Sequence, residues 1–365
     1  MNGLLPRRWV RPSLARGWFS ADDVGKAARA KPNRPTTAIG YLAAMLWLLL
    51  NCTPSWAAGA LDRFPISTPH TFPSRVAIDR TGAIWFIASN THQIGRFDAG
   101  AGTFSEVSIP TPKSFPADLA VGEGGKIWVL ESQANQLGVY DPVARRWQEF
   151  DVPTVESLPT RMAVDPRGRV WFTEFYGNKV AMFDPRRQAF REFPIARAES
   201  RPGGIAVDRG GVVWFLQTQG NMLTRLDPRD GKMRDYALPT PYESPRELAI
   251  DAKGVIWFGG HIGRSLFAFY PDKGRFMSFP LPRGGVLENL AIAPDGKIYF
   301  TLRTSTKIGV FNPATADFLE LDAEVGKSRP AGIAVDARGD IWFADTERNT
   351  LSRLNAATVA KLWMK

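Results

Sequence analysis

The sequence is poor in the residues that build soft-metal sites. Among 365 residues there are three His and one Cys. A structural zinc or an iron–sulfur centre needs a cluster of imidazole or thiolate ligands, and three His with one Cys argue against both. Charged residues are only 22% of the chain. The apolar run Ala38–Leu50 is thirteen residues, short of the roughly 20 that a membrane span needs. Coiled coils, disordered chains and multi-span membrane proteins are disfavoured on these grounds. What the chain does hold is 44% hydrophobic and 12% aromatic residues, enough for a large core, with 33 Gly and 28 Pro to punctuate it.

The net charge of +10 is unevenly spread. Residues 1–57 carry eight Lys/Arg and two Asp, which is +6 of that total. The other 308 residues are nearly balanced, with 38 basic and 34 acidic groups. So mild a charge gives the main domain no footprint for nucleic acid.

The N-terminal segment reads as a secretory signal. Basic residues precede the apolar run, and Ser55-Trp56-Ala57 is a small-x-small cleavage site. The expected division is an extension and signal peptide over 1–57 and a mature domain over 58–365. Cleavage after Ala57 removes Cys52, the only thiol, which suits a periplasmic or secreted protein. No membrane span remains after cleavage.

Everything downstream repeats. Trp85, Trp128, Trp171, Trp214, Trp257, Tyr299 and Trp342 follow one another at 43, 43, 43, 43, 42 and 43 residues. A period in the forties marks one supersecondary unit in many copies. In the third copy, Arg161–Asp165 alternates as a strand, Asp165–Gly168 is a tight turn, and Arg169–Thr173, Asn178–Phe183 and Phe190–Ile195 follow as further strands. The Asp of each turn caps its own backbone and the Gly supplies positive φ. Four short strands per unit predict an all-β, seven-bladed β-propeller. The stretch Leu61–Ile66 matches the fourth strands of later units and is expected to close the seventh blade. The tail Val359–Lys365 is a second candidate for that place. The repeated Trp rings belong to the core between blades.

The motifs Trp171-Phe-Thr-Glu174, Gln93-Ile-Gly-Arg96, Phe190-Arg-Glu-Phe-Pro194 and Leu238-Pro-Thr-Pro241 resemble those of the streptogramin B (virginiamycin B) lyase family. The resemblance runs over all seven units, residues 61–354. It implies a propeller with a magnesium-dependent site on one mouth, opening a cyclic depsipeptide by elimination at its ester. It also implies a His general base directly after the Pro that opens an inner strand, with a Glu before that Pro. At the first of these positions the chain has Ser74, Ala117, Thr160, Gly203, Arg246, Glu288 and Ala331, none of them His. At the second it has Phe72, Phe115, Leu158, Arg201, Ser244, Val286 and Arg329, none of them Glu. Without a base in reach of the proton, the elimination lacks its general-base route there.

Inner strands begin, and second strands end, on one face of the ring. That face is expected to gather Arg75, Arg161, Arg246, Glu247 and Glu288 as a ligand-binding mouth, the arginines donating to an anion or carboxylate. The same charges can instead pair into a plug. Glu131, Glu174 and Asp345 end second strands and are the candidate ligands for Mg²⁺ or Ca²⁺, which prefer hard oxygens. Of the three His, all in loops of this face, His261 stands beside Gly259-Gly260 and is the candidate displaced base. His92 replaces an Asn that recurs in the other copies. The readings left open are a monomeric exported family member taking a small cyclic, ester or peptide ligand at one mouth, a non-catalytic periplasmic ligand- or protein-binding propeller, and a metal-assisted lactone or ester hydrolase.

Overall fold

The structure is a computed structural model that describes residues 61–260, 264–303, 305–323 and 328–363. Seven four-stranded antiparallel sheets are arranged as blades. Blade three shows the unit, with strands Pro159–Val164, Val170–Glu174, Lys179–Asp184 and Ala189–Pro194 in sequential order. The first, innermost strand of each blade contacts its counterparts in the neighbouring blades.

The turn Asp does more than cap its hairpin. Asp165 accepts backbone N–H groups of Arg167 and Arg169, while its other oxygen accepts Trp171 Nε1 at 3.0 Å. The same bond links Trp85 to Asp79, Trp214 to Asp208, Trp257 to Asp251 and Trp342 to Asp336. Each indole is therefore satisfied at its polar end and buried over the rest of its surface. In blade two the turn residue is Gly122, and a Cβ there would lie 2.5 Å from Trp128 Nε1.

Blades pack face to face through mixed clusters. Trp128 and Leu130 of blade two meet Val170, Phe172 and Phe183 of blade three. Blade seven is completed from the N-terminal end: Leu61–Pro65 pairs antiparallel with Thr350–Leu354, Phe64 opposite Leu351. Phe64 stacks on Trp342 at 5.6 Å and leans on Phe97 of blade one at 4.6 Å. The tail, the alternative closing strand, is a helix, Ala356–Trp363, that buries Val359 and starts with Ala356 N–H bonded to Asp340. The N-terminal strand occupies the place beside Thr350–Leu354, so the fourth-strand position in blade seven is already filled.

Candidate functional site

In six blades the pairing of first and second strands slips just after the opening residue. A bulge of this kind re-aims a side chain. At or beside it stand Arg75, Asp118, Arg161 and Asn289, and blade five places Glu247 at the equivalent position. These five, four charged and one amide, form one layer.

Arg75 of blade one pairs with Glu247 of blade five at 2.9 Å and with Asp118 of blade two at 3.5 Å. It also donates to Asn289 of blade six. Arg161 of blade three donates to the same Glu247 oxygen at 3.1 Å. Asp118 further accepts the N–H groups of Leu119 and Met162. Blades four and seven supply glycine at this level. A Cβ on Gly332 would fall 2.2 Å from Ser74 O, and one on Gly204 would fall 2.9 Å from Glu247 Cα. Glycine lets those strands close on the strands that carry Arg75 and Glu247.

The layer's electrostatics follow from burial and mutual pairing. Burial pushes Asp118 up, against the pull of Arg75 and Arg161. Burial, joined by the neighbouring Arg75 charge, brings Arg161 down. Burial works downward on Arg75 as well, but Glu247 and Asp118 outweigh it and the net shift is upward. Two of the three expected anion donors, Arg75 and Arg161, are thus paired with carboxylates of this chain. Arg246 is exposed. Glu288 adds to the field on Arg75 and keeps one buried oxygen without a hydrogen bond among the described residues.

The three expected metal ligands lie apart. Along a strand, alternate residues share a side. Glu131 therefore points with Ile127 and Val129 into the seam toward blade one, over Gly138, where a Cβ would meet its Oε1 at 2.5 Å. There it faces Glu149, and burial followed by that like charge pushes its carboxyl up to about 8. Glu174 repeats this with Glu192, pushed up to about 7 by burial first and the Glu192 charge second. Both are fully buried, and none of their four oxygens finds a hydrogen-bond donor among the described residues. Asp345 is held by Ser328 and by the N–H groups of Arg329 and Arg348. Among the described residues no group of three or more His, Cys, Asp or Glu comes together to hold a metal ion. Each seam brings together two carboxyl groups, Glu131 with Glu149 and Glu174 with Glu192, fewer oxygen donors than the roughly six to eight that Ca²⁺ takes.

His261 lies outside the described residues, as does the signal segment 1–57. His92 has φ +52°, the left-handed conformation shared by Asn135, Asn178, Asn221 and Asn349. Those Asn residues latch the loops that form the rim. Asn135 Oδ1 accepts Ser157 N–H and Oγ–H at 2.9 and 2.8 Å, and its amide donates to Val152 and Thr154. The sequence signal for this latch was there, an Asn recurring at the same place in four blades. With His92 in that place, His92 Nδ1 and Ser114 Oγ are both buried and without a hydrogen bond among the described residues. The imidazole instead sits edge-on to Phe115 at 4.6 Å.

The rim itself is aromatic, a feature the repeat analysis did not single out because these residues break the repeat. Phe115, Val155, Tyr176 and Tyr242 are 42%, 82%, 63% and 81% exposed, all in loops of this face. Arg201 lies over Phe175 at 5.6 Å and over Tyr176 at 5.8 Å.

A family model for virginiamycin B lyases matches residues 54–266. The chain belongs to the virginiamycin B lyase family. Among solved structures, a streptogramin B lyase superposes on this family member with TM-score 0.76 at 24% identity, over 81% of this chain and 97% of that one. The virginiamycin B lyase of Staphylococcus aureus gives TM-score 0.76 at 22% identity, over 80% and 98%. A catalytically inactive His-to-Ala variant of the S. aureus enzyme, solved with quinupristin, matches equally. An extracellular domain from B. thetaiotaomicron shares the fold at TM-score 0.65 and 16% identity, over 82% of this chain and 40% of that one. A comparison with curated protein sequences gives no match. At these identities the likeness establishes the propeller alone.

Proposed function

We propose that this member of the virginiamycin B lyase family is an exported propeller that binds a small cyclic or ester-bearing peptide on its aromatic rim, without the family's elimination chemistry. One observation carries the reading. The charged groups at the mouth are spent on one another or buried in seams: Arg75 and Arg161 on Glu247, Glu131 against Glu149, Glu174 against Glu192. No imidazole follows the opening residue of an inner strand. Open to a ligand among the described residues are Phe115, Tyr176 and Tyr242 with the guanidiniums of Arg201 and Arg246. Aromatic surface flanked by exposed donors, Arg201 and Arg246 among them, suits a peptide macrocycle.

The test is calorimetry with quinupristin, followed by mass spectrometry of the recovered ligand. The expected result is saturable binding, weakened at least tenfold by Tyr176→Ala with Tyr242→Ala, and a recovered macrocycle of unchanged mass and retention. A linearised product from the wild-type protein would replace this reading with a lyase. Export rests on the charged, apolar and small-residue order before Ala58. Intact mass of the native protein should give an N-terminus near Ala58.

A further inference from the structure

The opposite face of the ring, where first and second strands turn, holds a separate vestibule. The inner strands of blades one to four end there on Ile78, Val121, Val164 and Val207, which line a cavity of about 590 Å³. The charge layer of Arg75, Asp118, Arg161 and Glu247 lies nearer the other mouth, three residues earlier on each strand.

Around this apolar floor stand Arg80, Arg167 and Arg209, exposed and without an ion pair among the described residues. Lys253 and Arg338 occupy the equivalent turns of blades five and seven. The adjoining carboxylates are committed. Asp79, Asp165 and Asp208 accept backbone N–H groups of their own turns and the indole N–H of Trp85, Trp171 and Trp214. Asp79 is accordingly held below its usual range: those bonds from Thr81, Trp85 and Ala83 outweigh a burial effect that works upward. Glu123, the exposed acid of the group, is 3.7 Å from Arg186. The cations Arg80, Arg167 and Arg209 are therefore left facing the cavity mouth while Asp79, Asp165 and Asp208 are turned into the blades, and Glu123 stays exposed beside Arg186.

We infer that this vestibule binds an amphipathic monoanion, its carboxylate held by Arg167 and Arg209 and its apolar body on Val121, Val164 and Val207. Guanidinium matches carboxylate in a two-point geometry. A cavity of this size with an aliphatic floor and a few convergent polar groups has the form of a small-molecule site. Four valine and isoleucine side chains favour an alkyl body over a bare inorganic anion. The site shares no residue with the aromatic rim, so either reading can fail without the other.

The experiment is isothermal calorimetry of the mature protein with decanoate, decanol and inorganic phosphate at fixed ionic strength. Decanoate is expected to bind at one site, at least tenfold more tightly than decanol or phosphate. Arg167→Ala with Arg209→Ala should weaken decanoate at least tenfold, and Val164→Asp should do the same from the floor. Arg246→Ala, on the other mouth, should leave it unchanged. Both arginines are exposed on turns, so the ring survives their removal. Phosphate binding as tightly as decanoate, or a double variant that binds like the wild type, overturns the proposal.

Discussion

Arg75 and Glu247 stand 172 residues apart and meet at 2.9 Å across the centre of the ring. Glu247 is also the acceptor for Arg161, so one carboxylate bridges two guanidiniums from different blades, and Asp118 beside Arg75 supplies the second negative charge. Removing one member of such a set leaves partly buried charge uncompensated. Glu247→Gln should lower stability by roughly 2–4 kcal/mol, read as a lower denaturation midpoint. Glu288→Gln should be neutral or stabilising, because Glu288 adds negative charge to the layer without a hydrogen bond to its buried oxygen. Equal losses from the two variants would contradict this ranking.

The carboxyl pairs between blades make stability depend on pH. Glu131 and Glu174 sit at about 8 and about 7 in the folded protein, above the ordinary 4.5. Between those limits the folded state binds more protons than the unfolded state. Their stabilising contribution is complete below about pH 4.5. It is lost as pH rises through 7 to 8. The melting temperature should fall between pH 5.5 and 8.5. Glu131→Gln with Glu174→Gln should flatten that slope and raise the melting temperature at pH 8.5 by roughly 5 °C. A parallel profile for the variant would show that other groups carry the dependence.

His92 interrupts a latch that Asn makes elsewhere. An Asn there meets Ser114 N–H and Oγ–H as Asn135 meets Ser157, and Asn tolerates the φ of +52° well. His92→Asn should stabilise the protein by about 1 kcal/mol, the worth of satisfying a buried hydroxyl. Ser114→Ala should cost little in the wild type and more in the His92→Asn background, a coupling that a double-mutant cycle measures.

Ring closure ranks the two ends of the domain. Deleting Leu61–Pro65 removes a whole strand and the Phe64–Trp342 stack and should abolish cooperative unfolding. Phe64→Ala alone should cost roughly 2–4 kcal/mol. Removing residues from 356 onward takes away a peripheral helix with one buried side chain, Val359, and should lower the melting temperature by only a few degrees. Circular dichroism melts would expose the reverse order.

The architecture was legible because its signals are local and repeated. A Trp every 43 residues, an Asp–x–x–Gly turn before it and a strand-length run after it specify a blade without reference to any other blade. Even closure could be read, since Phe64-Pro-Ile66 copies the fourth strands and an unpaired edge has one matching partner. The site was legible only as a set of candidates. The inner-strand charges were named, but their partners depend on the ring's radius, which brings blade one within reach of blades five and six. Glu131 and Glu174 end second strands of adjacent blades, as expected, but each turns into its own seam between blades. Strand alternation turns the fifth residue into the seam, where Glu149 and Glu192 wait. The sequence by itself determined seven blades and their order, because the first six blades are each built from consecutive strands and the seventh borrows a fourth strand whose sequence copies the others. Which charges cancel, which stay open, and which mouth each serves was decided by tertiary structure, because those pairs form only after all seven blades have closed around one axis.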